Sequence, residues 1–115
     1  MTTLLTILKI CAAIFTIGFG LYSMILPRAI KGFTGLDVTG PRGVTEIRAI
    51  MGGTFVGLGL APLLLAAPAA YQTLGIAYFV IAAVRTVSMF MDKSVMSTNI
   101  ISIASEVILG IILVI

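Results

Sequence analysis

Leu4–Leu26 reads LLTILKICAAIFTIGFGLYSMIL, with Lys9 its only charged side chain. A helix rises 1.5 Å per residue, and crossing the hydrocarbon of a bilayer takes about 20 residues. The stretch is long enough, and it stops at Pro27-Arg28. It begins without a basic region, is longer than the apolar part of a signal peptide, and leads to no small-residue cleavage pattern, so it reads as a retained helix.

Three further stretches of the same kind follow. They run from about Pro41 to Ala67, from about Tyr71 to Met91, and from about Val95 to Ile115. Gly40-Pro41 suits a helix start, because proline fits the first helical turn. Pro68 separates the second stretch from the third, and Asp92-Lys93-Ser94 marks a turn before the fourth. Pro62 lies inside the second stretch, where it removes one backbone donor; a kink is the preferred reading and unwinding after Ala61 the alternative. The 115 residues are 60% hydrophobic and 10% charged, well outside the range of about 45–50% and 25% for soluble domains. A soluble fold of this size has too little interior for so much apolar surface. The expected fold is all-α: a polytopic membrane protein in one transmembrane domain, an antiparallel four-transmembrane-helix bundle with lipid as solvent.

The connection from Pro27 to Gly40 is the only long one. Its mixture of Arg28, Lys31, Phe33, Leu36 and Asp37 suits the headgroup layer. Arg28, Lys31, Arg42 and Lys93 share one side, with Arg48 nearby, whereas the connection through residues 67–72 carries no charge. The positive-inside rule makes the first side cytoplasmic and puts both termini outside. Lys9 reads as a lysine that snorkels to the interface.

Composition excludes several function classes. There is no His, and Cys11 is the one cysteine, so an internal disulfide is impossible and a Cys/His metal site is not expected. Cys11 reads as a small hydrophobe, and the methionines as apolar filling. Basic residues do not cluster with aromatics, which argues against nucleic acid as a partner. No nucleotide loop, zinc-protease motif or nucleophile elbow is present, the glycine-rich stretches are not preceded by a strand, and no cofactor is expected.

Glu46, Arg48, Arg85 and Glu106 are the charges within apolar or membrane-adjacent helix, and Asp92 ends the third stretch. Counted from the basic side, Glu46 lies ~8 Å, Arg85 ~9 Å and Glu106 ~16 Å along its helix. An unpaired charge at the centre of a membrane helix costs roughly 2.5–3.5 kcal/mol on insertion scales. The expectation is a network centred on Arg85 and flanked by Glu106 and Glu46, with Asp92 a turn residue that pairs with Arg85. Tyr78, Ala82, Arg85, Met89 and Asp92 share a face of the third helix. Thr98, Ser102, Glu106 and Gly110 recur on the fourth. On the second, Ala49, Gly53, Gly57 and Ala61 form a small-residue stripe expected to meet Ala12, Thr16 and Gly20, with Gly52 and Gly59 elsewhere around the helix.

Glu46-Ile47-Arg48-Ala49-Ile50-Met51-Gly52-Gly53, followed by Gly57 and Gly59, resembles the E-x-R-A and paired-glycine segment of an uncharacterised bacterial family of small four-helix membrane proteins, domain of unknown function 4345. Arg85, Asp92 and Glu106 match that family's later Arg, Asp and Glu. The resemblance runs from the Pro27 turn to Glu106. It implies four helices and the same five polar residues, and carries no activity. Small multidrug exporters are similar in length, but they depend on an acidic residue in the first helix, and here that helix has only Lys9.

Two functions follow as expectations. The first is binding or transport of a small polar, anionic or lipid-like ligand at Glu46, Arg48, Arg85 and Glu106, in a bacterial inner membrane with lipid as surrounding partner. The second is a structural or accessory subunit whose ion pairs fix the helices and whose glycines serve packing or homo-oligomerisation. An enzyme is the weakest reading, since two acids and an arginine are unaccompanied by a nucleophile or metal set.

Overall fold

The computed structural model describes residues 3–115. Its helices are α1 (Thr3–Ile25), α2 (Lys31–Thr34), α3 (Pro41–Glu46), α4 (Thr54–Leu65), α5 (Pro68–Met91) and α6 (Ser97–Val114), with a π-helical segment at Ile47–Gly53 joining α3 to α4. Four helical spans are long and apolar enough to cross a membrane: Thr3–Ile25, Pro41–Leu65, Pro68–Met91 and Ser97–Val114.

The described chain divides into two compact units, Ile10–Ala66 and Ala67–Ile115, the latter together with residues 3–9. In the first unit, α1 runs against the π segment and α4 in opposite directions. A Cβ on Gly20 would meet Gly52 and Val56, and one on Gly59 would meet Ala13 and Ile17. The α1 residues that meet this segment are Ala13, Ile17, Gly20 and Met24, and the buried residues of α1 are Ala12, Ala13, Thr16, Gly20 and Ser23. The expected glycine stripe is corrected here. Gly52 and Gly59 make the close approach, while a Cβ on Gly53 or Gly57 would find open space, and Ala49 is exposed. Spacing defines stripes on a helix but not which one turns inward. Gly52 and Gly59 are seven residues apart, two helical turns, and so share a face as closely as residues at four-residue spacing do.

The ends of the elements follow local chemistry. Pro41 occupies the first turn of α3, after an extended Gly40. Pro68 also opens a helix, so α5 starts three residues before the expected Tyr71. Helix α4 continues through Pro62 to Leu65, which removes the unwinding after Ala61. It ends at Ala66, whose left-handed backbone (φ 50°) lets its N–H donate to the Pro62 carbonyl at 2.9 Å. Such a conformation costs a non-glycine residue roughly 1–2 kcal/mol.

The long connection is more ordered than a plain headgroup loop. Ile30 is fully buried and accepts the Thr34 hydroxyl at 2.7 Å through its carbonyl. Gly35 closes α2 in the left-handed conformation, φ 75°, and donates to Lys31. Phe33 packs edge-on to Phe19 at 5.7 Å, and Phe19 packs edge-on to Phe55 at 5.1 Å. These aromatic contacts tie the connection back onto α1. The exposed Lys31–Asp37 pair (3.1 Å) completes it. Hydrogen bonds from Lys31 and from the Val38 N–H hold the Asp37 carboxyl below its ordinary range.

In the second unit, α5 and α6 also run in opposite directions: Gly75 meets Gly110, Leu113 and Val114, and Arg85 bonds Glu106 and Asn99. Leu74, Gly75, Tyr78, Ala82 and Met89 form the buried face of α5. Ile76, Val80, Val84, Val87 and Phe90 form its exposed face. On α6, Glu106, Gly110 and Leu113 are buried, whereas Ile100, Ile101, Ile108 and Ile111 are exposed.

Candidate functional site

Arg85 sits on α5 and Glu106 on α6, and the hairpin brings them into a forked ion pair. Nε donates to Oε1 at 3.1 Å and to Oε2 at 3.2 Å, and Nη2 donates to Oε2 at 2.8 Å. Helical side chains lean toward their own N-terminus. Arg85 is six residues before the end of α5 and Glu106 nine residues after the start of α6, so Glu106 lies ~5 Å further from the connecting turn. In oppositely directed helices the two side chains therefore lean toward each other. Parallel N–H···O bonds of this kind are among the stronger polar contacts proteins make.

A third member completes the cluster. Nη1 of Arg85 donates to Oδ1 of Asn99 at 3.1 Å, and Nδ2 of Asn99 donates to the Ser94 carbonyl at 2.8 Å. Asn99 thereby anchors the guanidinium to the turn between α5 and α6. Sequence spacing concealed it. A strict four-residue step advances 400° and drifts ~40° from the face at each step, so Thr98, two steps before Glu106, is exposed. Asn99 precedes Glu106 by seven residues, returns to within ~20° of the same direction, and was the residue to trace.

The other predicted members lie in different settings. Asp92 is exposed and accepts the Ser88 hydroxyl at 2.7 Å, one turn back on its own helix, and does not bond Arg85. An i,i+4 hydroxyl is nearer to it than a guanidinium two turns away. Glu46 is exposed and pairs with Arg42 on α3, again at i,i+4, rather than with Arg85. Arg48 lies on the π segment, is exposed, and makes no hydrogen bond or ion pair among the described residues. Cys11, read as a small hydrophobe, is a free cysteine on the exposed surface of α1. Among the described residues no group of His, Cys, Asp and Glu could hold a metal ion.

Burial is uneven across the pair: the Glu106 side chain is 10% exposed and that of Arg85 is 32% exposed. The exposed edge of Arg85 opens on a shallow concavity of about 410 Å³. Val80, Ile81 and Val84 are among its apolar members, and Arg85, Ser88 and Asn99 among its polar ones. An apolar concavity with a few placed polar groups is the usual composition of a small-molecule site. The arrangement can donate hydrogen bonds to an oxygen.

A family model described as "Domain of unknown function (DUF4345)" matches residues 4–115. No curated protein and no solved structure matches the chain significantly.

Proposed function

We propose that this chain, which belongs to the DUF4345 family across residues 4–115, is an integral membrane protein that binds the polar head of an amphiphile at Arg85. The single observation that carries the reading is the state of Arg85. It is held by Glu106 and Asn99, yet a third of its side chain remains open on an apolar-walled concavity. A guanidinium fixed before a ligand arrives loses little freedom on binding.

The membrane setting rests on the four long apolar spans and on the distribution of exposed side chains. Leu64 is 77% exposed and Phe90 70% exposed, an unfavourable disposition in water and an ordinary one in lipid. In this reading the four spans pack as one antiparallel bundle in a bacterial inner membrane. The Arg85–Glu106 pair is then an intramembrane salt bridge, and Arg28, Lys31, Arg42 and Lys93 face the cytoplasm with both termini outside. A C-terminal tag should accordingly be cleaved by protease added outside spheroplasts; protection of the tag would reverse the topology.

Native mass spectrometry of protein extracted in mild detergent tests the binding role. Wild type should retain a lipid-like adduct, and Arg85→Ala should lose at least nine-tenths of it. Equal adducts on both proteins would remove Arg85 from the site. A second reading, a structural subunit, is favoured by one observation: Arg85 and Glu106 join α5 to α6 through three hydrogen bonds, which is enough for a clamp.

A further inference from the structure

Resting on the reading of Arg85 as a binding site, we infer that its ligand is an uncharged carbonyl oxygen carried on an apolar tail. A guanidinium offers five N–H donors. Three are engaged: the Nε–H, shared between both Glu106 oxygens, one on Nη2 toward Glu106, and one on Nη1 toward Asn99. One N–H on each terminal nitrogen is left without an acceptor among the described residues. A carbonyl oxygen has two lone pairs and suits this remaining pair of donors.

Charge argues for a neutral head. The Glu106 carboxylate, 2.8 Å away, already cancels the guanidinium. An anionic head would have to lose its hydration beside Val80, Ile81 and Val84 and then stand close to a second negative charge. A carbonyl loses far less on leaving water and still gains charge-assisted bonds from the arginine. The surroundings supply a place for the tail, because Val80, Val84, Val87 and Phe90 form a continuous exposed apolar face on α5. The shared chemistry is that of an acyl ester of a glycerolipid or of a quinone.

The test uses the full-length protein in detergent micelles and isothermal titration calorimetry with three probes of equal tail length: monodecanoylglycerol, a decyl-substituted benzoquinone and decyl phosphate. At least one uncharged probe should bind tenfold or more tighter than decyl phosphate, and the tighter of the two identifies the source. Arg85→Lys, which keeps the charge but loses the fork, should weaken that probe at least tenfold. Glu106→Gln keeps the shape and removes the cancelling charge, and should shift the ranking toward decyl phosphate by tenfold or more. Wild type that prefers decyl phosphate overturns the inference and leaves the site standing, and so does an unchanged ranking in folded Glu106→Gln. If no probe binds, or Arg85→Lys binds all three like wild type, the site itself falls. The wild-type ranking decides the ligand class even where a variant does not fold.

Discussion

Arg85→Met should lower the unfolding free energy in detergent by about 3 kcal/mol. Removing one partner of a buried ion pair costs about 3–5 kcal/mol, because the other charge stays buried without compensation. Here the remaining charge is Glu106, only 8% exposed as a residue. The lower end of the range applies because a third of the Arg85 side chain is in contact with its surroundings rather than with protein. The decisive comparison is the double variant. Arg85→Met with Glu106→Leu replaces the pair by apolar groups of similar size, and such replacements are commonly neutral or stabilising. It should return to within about 1 kcal/mol of wild type, a coupling of at least 2 kcal/mol between the sites. Denaturant unfolding followed by circular dichroism reads the cycle. A double variant as unstable as the sum of the two singles would show that the helices are not held through this pair. Recovery of stability with loss of the bound adduct would separate binding from clamping within one experiment.

Gly20→Ala should be the most damaging single methyl addition among the described glycines, with a clash cost of about 3 kcal/mol. Its Cβ would fall 2.7 Å from the Gly52 carbonyl oxygen and 2.7 Å from the Val56 nitrogen. Both are backbone atoms, which cannot rotate aside, so α1 itself must withdraw. Overpacking ordinarily costs about 1–3 kcal/mol, and a clash with two backbone atoms belongs at the top of that range. Gly57→Ala provides the opposite result. Nothing lies within 4 Å of its Cβ position, and alanine favours helix over glycine by about 1 kcal/mol. The helical gain of about 1 kcal/mol is common to both, so the two substitutions should differ by about 3 kcal/mol, Gly20→Ala destabilising and Gly57→Ala stabilising. Equal effects in a thermal scan would mean that α1 and α4 do not approach through Gly20, Gly52 and Gly59.

Much of this arrangement was legible in the residues themselves. Hydropathy runs and prolines marked the four long spans, since helix length against hydrocarbon thickness leaves little choice. The faces of α5 were legible too. Tyr78, Ala82 and Met89 are buried as the three-four spacing required, with Arg85 half-buried among them. The Arg85–Glu106 pair followed from cost, because two opposite charges in apolar helices have strong reason to meet.

Other features had no such signal. The π segment at Ile47–Gly53 arises from an i→i+5 bonding pattern that changes neither composition nor hydropathy. Glu46 was assigned a partner on another helix and Asp92 one two turns back, yet each satisfied its carboxylate within one helical turn, through Arg42 and Ser88. Local partners cost less chain entropy to bring together, and charge counting alone does not weigh that. The choice of Gly52 and Gly59 over Gly53 and Gly57 depended on how α4 is turned about its own axis, which only the packed pair with α1 decides.

The pairing of Arg85 with Glu106 also fixes how the proposed site responds to voltage. A lone charge carried across a membrane couples to its potential by about 2.3 kcal/mol per 100 mV. Two opposite charges 2.8 Å apart span roughly a tenth of a ~30 Å hydrocarbon layer, so their coupling falls to about 0.2 kcal/mol, below thermal energy. In an energised membrane the hairpin would hold a polar anchor to which the electric field is nearly blind.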